Sequence, residues 1–428
     1  MGTGVTNAAD RACQPAGAIR GRIATTRSVR IALEPGPKAR HPRRGSDNGF
    51  GSMDRMLVPA DRGRFYRNNF DALRLAMALL VVFSHSFALR FGTEAFEPVS
   101  LATNGYYNAG HVGVWGFFIV SGFLIAHSHE RSRSIGGYAA KRVRRIYPAY
   151  LVATAICAFV VTPLFAPPGF ALTAAEAART ISANLLLANH FPLPDLFAAN
   201  PVHAVNGSLW SIRFEFLCYV GVALLGVLAL PLRRWAVPLI YVAVVATWCW
   251  LDLTGRKPGG PALVADVIGW PYMWFRVLPN FLAGMIVYLH RDNIPRSTPL
   301  LLAGLAACFL GFHLGGHGPA GIVAAHVLAP PVMAYLVFWI AFHPRIDLSR
   351  AARFGDISYG TYLYAYVIQQ MLVAQAAALP FPLFVLASML LALAAGALSW
   401  WLVERHFLDH GRRPAEHRPE RKEAPALP

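Results

Sequence analysis

Two ionisable residues share one long apolar segment near the start of the regular part of the chain. Arg74 is followed eleven residues later by His85, within the segment 69–91. On an α-helix their side chains would fall within about 20° of the same face and about 16 Å apart along the axis. Ionisable groups are costly in hydrocarbon and usually face a bundle interior or a cavity. The pair indicates either one site served by both side chains or a snorkelling arginine beside a hydrogen-bonded core histidine.

A carboxylate and a basic run offer further chemistry. Glu215 follows Ser208-Leu-Trp-Ser-Ile-Arg in a later apolar segment, about 12 Å below the outer helix end. It could be the structural partner of Arg213 or of another buried arginine, or it could orient or protonate a reacting group. The basic run contains Lys141, Arg142, Arg144 and Arg145. It is suited to anchoring at anionic lipids, and equally to binding several phosphates through paired guanidinium contacts.

Several other side chains are candidates for either packing or substrate binding. Small residues usually serve helix packing in membranes, and tyrosines at helical spacing are more often packing than ligand-binding residues. An arginine beside a proline in a membrane segment is a further candidate for a site. The candidates for substrate binding are Ser121, Trp210, Ser211, Arg276, Tyr359 and Tyr362.

The composition predicts an all-α membrane protein. Of the 428 residues, 55% are hydrophobic and 14% charged, and the mean hydropathy is +0.42, unlike a soluble domain. Apolar stretches long enough to cross a bilayer recur from residue 70 to residue 403. They predict a polytopic helical bundle of about ten spans, at 70–91, 112–129, 148–165, 207–230, 235–252, 263–289, 299–315, 321–342, 357–379 and 383–403.

The placement of positive charge predicts the orientation of this bundle. The net charge is +17. Basic clusters follow the second, fourth, sixth and eighth spans and also lie near both termini, whereas most of the other loops hold few basic residues. Loop 253–262, with Arg256 and Lys257, is the main exception. Because basic loops stay in the cytoplasm, ten spans would leave both termini on the cytoplasmic side of the membrane. The basic residues on that side are then expected to contact membrane lipids, and nucleic-acid binding is not expected.

The two ends of the chain lack sustained apolar runs. Residues 1–64 are rich in Arg, Gly, Ala and Pro and are predicted to be a disordered basic extension. Met53 and Met56 precede the regular part, so an alternative hypothesis is that translation starts at one of them. Residues 411–428 are predicted to be a disordered cytoplasmic tail. The five cysteines are scattered, and no metal-ligand spacing is found, so neither a disulfide framework nor a metal is indicated.

Taken in order, these motifs resemble the acyltransferase 3 family of bacterial membrane-bound O-acyltransferases. The resemblance covers about 68–410 and rests on five motifs: Phe70-Asp-Ala-Leu-Arg74 with His85, the glycine-rich span ending Phe-Ile-Val-Ser121-Gly-Phe-Leu-Ile, Arg-Val-Arg-Arg145-Ile-Tyr-Pro148, Ser208-Leu-Trp-Ser-Ile-Arg-Phe-Glu215 and Ile357-Ser-Tyr-Gly-Thr-Tyr-Leu-Tyr. It implies a membrane acyltransferase domain over 65–410. This domain would move an acyl group, expected to be acetyl, from cytoplasmic acyl-CoA to a hydroxyl of a surface or lipid-linked carbohydrate, with no permanently bound cofactor.

The resemblance also assigns roles, with two departures from the family pattern. His85 and Glu215 would be catalytic, and Arg74, Arg142, Arg144 and Arg145 would bind the CoA phosphates. Where many members carry two adjacent carboxylates, this chain has Glu215 followed by Phe216, which weakens a two-carboxylate mechanism. Where many members have a histidine in the last motif, this chain has Ala365. Glu215 would orient His85 or stabilise its protonated form.

His85 could act either as general base on the acceptor hydroxyl or as a transient acyl carrier, because imidazole suits proton transfer at neutral pH. The competing hypothesis is a proton-coupled transporter or flippase that uses the same buried charges. A purely structural scaffold would have little use for them. The acceptor and the oligomeric state are not specified by the sequence. Loop 166–206, with Asn184, Asn189, His190, Asp195 and His203, is the predicted place of acceptor selection.

Overall fold

The structure is a computed structural model that describes residues 56–60, 65, 68–132 and 134–408. In these ranges the chain is helical, and the β-structure recorded is an isolated antiparallel bridge between Met56 and Pro295. The predicted all-α bundle is confirmed. Thirteen helices follow in order: α1 Phe70–Phe91, α2 Pro98–Ala102, α3 Ala109–Glu130, α4 Ile135–Phe165, α5 Ala174–Leu185, α6 Trp210–Leu225, α7 Leu230–Leu253, α8 Ala262–Ile268, α9 Pro271–Leu289, α10 Thr298–Gly315, α11 Pro319–Ala341, α12 Ser358–Gln375 and α13 Phe381–Phe407.

Helices lie at all ten predicted spans, and they make the chain a multi-pass membrane protein. Among the described residues, nine helical segments are long and apolar enough to cross a bilayer. Of the helices at the ten predicted spans, α12 alone does not meet this requirement, because its polar side chains lower its hydropathy. These side chains are bonded inside the bundle: the amide of Gln369 donates to the Val82 carbonyl and to Ser86, both at 2.9 Å. Because protein groups accept both hydrogen bonds of this buried amide nitrogen, α12 needs no apolar surface towards lipid at this position.

Two predicted spans differ from the observed helices. The third was expected at 148–165, but α4 begins at Ile135, after Ser134 accepts a capping hydrogen bond from the Gly137 N–H. The basic run therefore lies on a helix rather than in a loop. An apolar window detects only the lipid-facing part of a helix, so it misses such an amphipathic extension.

The predicted span 263–289 is broken into α8 and α9. Gly269 takes the left-handed value φ = 81° between them, and α9 starts at Pro271, a position where proline is favoured. The second proline of the segment, Pro279, lies inside α9 without ending it.

The expected disorder of the N-terminal extension does not apply to residues 56–60. Leu57 and Val58 are fully buried in the main core, and the Leu57 N–H donates to the Ile294 carbonyl at 2.9 Å. Two apolar residues are too few to register as an apolar run, which is why the sequence did not indicate this contact. The rest of the predicted extension 1–64 and the predicted tail 411–428 lie outside the described residues.

The centre of the bundle is formed by α1, α3, α9 and α12, and one close crossing holds α3 against α9. A Cβ at Gly122 would lie 2.0 Å from the Phe281 carbonyl oxygen, and a Cβ at Gly284 would lie 2.0 Å from that of Ile119. Each glycine thus faces the other helix's backbone, so the two helices meet without intervening side chains. This crossing fixes α3 and α9, which carry several of the candidate site residues.

Candidate active site

A basic cavity of about 390 Å³ opens at one end of the bundle. Its charged lining comes from the first turns of α1 and from the amphipathic start of α4. The early start of α4 places Lys141, Arg142, Arg144 and Arg145 on one helix, and Arg74 of α1 completes the basic lining. The deeper wall holds Ser121, Glu215, Tyr219 and Tyr359. The structure therefore brings together all four arginines predicted to bind the acyl donor.

A small void of about 30 Å³ lies deeper, bounded by Glu215, Tyr359 and Phe117, which also line the basic cavity. Ser211 and Tyr362 complete its polar wall. Beyond it, a cavity of about 230 Å³ contains His85 and is called the histidine cavity here. Val114 lines both the void and the histidine cavity. The three spaces are thus adjacent, with Arg74 and His85 of α1 at the two ends, as the helical spacing predicts.

Two of the arginines are held by one carboxylate. Asp356 lies 2.6 Å from Arg145 and 3.2 Å from Arg74, and Asp71 also contacts Arg74. Arg145 also lies 3.7 Å from a second carboxylate, that of Glu404. Burial alone would raise the pKa of Asp356, but Arg145 and Arg74 outweigh burial and hold that pKa well below its usual range. Asp356 therefore stays charged and fixes both guanidinium groups at the mouth of the basic cavity.

Asp356→Asn is expected to lower the free energy of unfolding by about 3 kcal/mol, since it removes the carboxylate that Arg145 and Arg74 share and leaves each with its more exposed or more distant contact, Glu404 at 3.7 Å or Asp71. The lowered pKa means that the native state binds this proton less readily than the unfolded state does. The stabilisation is therefore complete above about pH 5 and is lost as the pH falls below 4. Melting temperatures in detergent should show a gap between wild type and variant that is constant from pH 6 to 8 and narrows in acid.

Asp71→Asn is the matched control, because it removes another carboxylate from Arg74 at a more exposed position. It should cost less than about 1 kcal/mol. Equal melting temperatures for Asp356→Asn and wild type at pH 7 would contradict the structural role of Asp356.

Glu215 is bonded to its own neighbours rather than to the predicted partners. One carboxylate oxygen accepts hydrogen bonds from Ser121, at 2.6 Å, and from Tyr219. Arg213, two residues away on α6, instead donates to the carbonyls of Leu187, Ala265 and Asp266. The expected Arg213–Glu215 pair is therefore wrong, because side chains two positions apart point to different sides of a helix.

The contact expected between Glu215 and His85 is not among the bonds of the described residues either. Glu215 lines the basic cavity and the void, whereas His85 lines the histidine cavity. A role for Glu215 in catalysis stays a prediction, as does that of Ser121. Their hydrogen bond places a carboxylate and a hydroxyl at the deep end of the basic cavity.

His85 has a polar setting of its own. Its ring packs edge-on against Tyr366 at 5.1 Å, and its buried Nδ1 has no hydrogen-bond partner in the described part of the chain. The same cavity holds Glu94, His111 and the predicted Arg276. Arg276 contacts the His111 ring. Two histidines, one arginine and one carboxylate thus surround a space next to an imidazole nitrogen with no internal partner.

Glu94 enters the histidine cavity from the loop after α1. Its carboxylate accepts hydrogen bonds from Ser84, at 3.2 Å, and from Asn108. Burial raises the pKa of Glu94, although both hydrogen bonds oppose this effect. The carboxylate that shares the histidine cavity with His85 is therefore a loop residue that the sequence did not single out.

The predicted tyrosines act mainly through their rings. The Tyr359 hydroxyl donates to the Ile146 carbonyl at 3.0 Å. The Tyr362 hydroxyl bonds to Ser211 at 2.7 Å and to the Ser208 carbonyl at 2.6 Å. Internal bonds thus use these hydroxyls, and the rings form walls of the basic cavity and the void. Trp210 lies elsewhere, at the histidine cavity.

Sequence reasoning missed three residues of this arrangement. Glu94 and His111 lie in 92–111, a stretch considered only for its lack of basic residues, and His111 immediately precedes the predicted second span. Asp356 immediately precedes the last motif, but nothing in the sequence pairs it with Arg74. A carboxylate and a histidine at the ends of two successive spans were the available signal for Glu94 and His111.

Comparisons with known proteins identify the family. The family model for an acyltransferase domain, acyltransferase 3, matches residues 67–402. An O-acetyl transferase of Shigella phage Sf6 is 28% identical, covering 80% of this chain and 96% of its own length. Nodulation protein 10 of Rhizobium leguminosarum bv. viciae is 28% identical, covering 79% and 93%. Exopolysaccharide production protein ExoZ of Rhizobium meliloti (strain 1021) is 27% identical, covering 72% and 93%.

No solved structure matches the chain. The family match covers most of the sequence and includes every candidate site residue, from Arg74 to Tyr362. The resemblance inferred from five motifs is confirmed. The chain belongs to the acyltransferase 3 family and is an acyltransferase.

Proposed function

We propose that this protein is an O-acyltransferase of the bacterial cytoplasmic membrane. It takes an acyl group, acetyl in the first instance, from cytoplasmic acyl-CoA and transfers it to a hydroxyl of a surface or lipid-linked carbohydrate. The observation that carries this proposal is the series of adjacent spaces between the basic cavity and His85. A transporter would be an alternative use of the same buried charges, but membership of an acyltransferase family favours the enzyme.

The basic cavity has the chemistry required for the donor. CoA carries several phosphate groups, and guanidinium groups bind phosphate through charge-assisted, often paired hydrogen bonds. Asp356 holds Arg74 and Arg145 in place, while Arg142 lies over the rings of Tyr138 and Tyr219. With the phosphates at this mouth, the thioester end of the donor would extend along the void towards the histidine cavity.

His85 suits the transfer step. In direct transfer, the acceptor oxygen attacks the thioester carbonyl while the imidazole takes the hydroxyl proton; the C–S bond breaks, and the imidazolium gives that proton to the departing CoA thiolate. In a two-step transfer, the imidazole nitrogen attacks the thioester carbonyl and the C–S bond breaks, which releases CoA as its thiolate. The acceptor oxygen then attacks the acyl-imidazole, the C–N bond breaks, and the acceptor proton passes through the imidazole to the thiolate. Arg276 stands in the same cavity, where its positive charge would stabilise the oxyanion formed in either route.

The names of the relatives support a carbohydrate acceptor. One is named for O-acetyl transfer and another for exopolysaccharide production. O-acetyl transfer needs a hydroxyl acceptor, and an exopolysaccharide offers many, so a carbohydrate hydroxyl is consistent with both names.

Arg142→Ala tests the donor site. It should raise the half-saturating concentration of acetyl-CoA about tenfold, because a hydrogen bond to a charged group contributes about 1.5–3 kcal/mol. The maximal rate should change little, since the removed contact serves the donor rather than the reacting atoms. The measurement is transfer of radiolabelled acetyl from acetyl-CoA to polysaccharide extracted from the source bacterium, with the full chain in lipid nanodiscs.

Arg131→Ala provides the control, because Arg131 lies beside the same end of the bundle, is exposed and does not line the basic cavity. It should leave the acetyl-CoA dependence unchanged. Equal dependence for Arg142→Ala and Arg131→Ala would remove the donor from this cavity.

A further inference from the structure

A fourth cavity, of about 400 Å³, lies against the histidine cavity and is called the tryptophan cavity here. Trp210 and Met273 line both spaces, so one wall separates them. The tryptophan cavity is formed by loop 187–189, the first turns of α6, and the break between α8 and α9. Shared lining residues therefore order the spaces as basic cavity, void, histidine cavity and tryptophan cavity, and the last lies at the end of the bundle predicted to face outward.

The loop that forms this cavity has an unusual backbone. Leu187 and Asn189 have φ values of 57° and 51°, in the left-handed region that residues with a Cβ rarely adopt. Arg213 holds the loop by donating from Nε to the Leu187 carbonyl at 3.0 Å. Its Nη1 donates to the carbonyls of Ala265 and Asp266 at the end of α8, at 3.2 and 3.1 Å. Strain maintained by such contacts is typical of functional loops.

Asn189 has a side-chain oxygen whose hydrogen-bonding capacity is not used by the described residues. Its backbone N–H donates to the Tyr150 hydroxyl, and its side-chain amide donates to the Asn206 carbonyl at 3.1 Å. These bonds fix the side chain and leave its buried amide oxygen without a donor among the described residues. A buried acceptor without a donor is costly, and a ligand hydroxyl would supply one.

The lining of the tryptophan cavity matches a sugar ring. Trp210 and Trp270 provide flat apolar faces for the C–H groups of a pyranose, and Arg213 and Asn189 provide polar groups for its hydroxyls. A few fixed polar groups among apolar walls are typical of small-molecule sites. A free acyl chain or a lipid tail would not need the arginine and the amide.

We propose that the tryptophan cavity binds a pyranose residue of the carbohydrate acceptor, with Trp270 as a stacking residue and Asn189 as a hydroxyl contact. This inference rests on the proposed function. It places donor and acceptor in separate cavities, with the histidine cavity between them in this order. The acceptor hydroxyl then reaches the histidine cavity past Trp210 and Met273, and the acyl group arrives through the void.

Trp270→Ala separates this acceptor site from the donor site. Transfer of radiolabelled acetyl to extracted, chemically deacetylated polysaccharide should need at least about tenfold more polysaccharide for half-maximal rate. The acetyl-CoA concentration for half-maximal rate should stay within about twofold of wild type. Trp270→Phe, which keeps an aromatic face, should restore most of the polysaccharide affinity, and Asn189→Ala should weaken it without changing the acetyl-CoA dependence.

Trp250→Ala is the matched control, because Trp250 is a similarly exposed tryptophan of α7 that does not line the cavity. It should behave as wild type in both titrations. Wild-type polysaccharide dependence in both Trp270→Ala and Asn189→Ala would overturn the acceptor assignment while leaving the proposed function intact. Failure of the wild-type protein to move acetyl from acetyl-CoA to polysaccharide would overturn the proposed function, and the acceptor site with it.

Discussion

His85→Ala is expected to reduce acetyl transfer to polysaccharide by a factor of about 10²–10⁴, the range attributed to one acid–base group. The reason is chemical: His85 is the only residue proposed here to take the acceptor proton or carry the acyl group. His85→Gln should lose as much activity, although it keeps a polar side chain of similar length. The transfer rate is measured with the full chain in nanodiscs at saturating acetyl-CoA, and the amount of folded protein is matched by size-exclusion profiles.

His317→Ala is the control for this prediction, since His317 is an exposed histidine between α10 and α11 that lines none of the four cavities described. It should keep wild-type activity. Transfer by His85→Ala at a rate near that of wild type would exclude His85 from the reaction and shift attention to His111, which shares the cavity. A larger loss in the alanine variant than in the glutamine variant would indicate that the imidazole also supports the cavity wall.

Gly122→Ala is expected to prevent formation of the folded bundle, although it adds only a methyl group. The new Cβ would lie 2.0 Å from the Phe281 carbonyl oxygen, a backbone atom that cannot turn aside as a side chain would. Relief requires α3 and α9 to separate, at a cost of about 3 kcal/mol or more, the upper end of overpacking effects. Yield of monodisperse protein and melting temperature in detergent measure the outcome.

Gly221→Ala serves as the comparison, because it makes the same change in α6 where a Cβ would meet no atom within 4 Å. It should be neutral or slightly stabilising, since alanine is the better helix former. A folded Gly122→Ala protein with an unchanged melting temperature would show that the α3–α9 crossing is looser than described. Gly284→Ala, on the opposite helix, should reproduce the Gly122→Ala result.

The sequence predicted what depends on one helix at a time. Hydropathy located ten spans, because the need to place apolar surface in protein or in the bilayer is a local property of about twenty residues. The relation between Arg74 and His85 was also predictable, since both lie on α1 and helical geometry fixes their separation. Hydropathy was less informative for the amphipathic start of α4, which it missed, and for α12, whose polar side chains are buried in protein rather than exposed to lipid.

Contacts between helices could not be predicted in the same way. Glu215 was expected to meet Arg213 or His85, yet its partners are Ser121 and Tyr219. Ser121 is 94 positions away in the chain, and no spacing rule connects two helices whose crossing depends on packing. The position of Asp356 between Arg74 and Arg145 is of the same kind. Family resemblance supplied the motifs, but only the packed bundle specifies which side chains meet.

The polar character of α12 has a consequence for biogenesis. Gln369 donates to a carbonyl of α1, and Gln370 donates to the carbonyls of Val202 and Ala204. A nascent α12 therefore gains little by entering lipid alone and gains much by entering a groove that earlier helices have already formed. Assembly of the site therefore requires α12 to meet α1, although 287 positions separate the two contacting residues, Val82 and Gln369, in the chain.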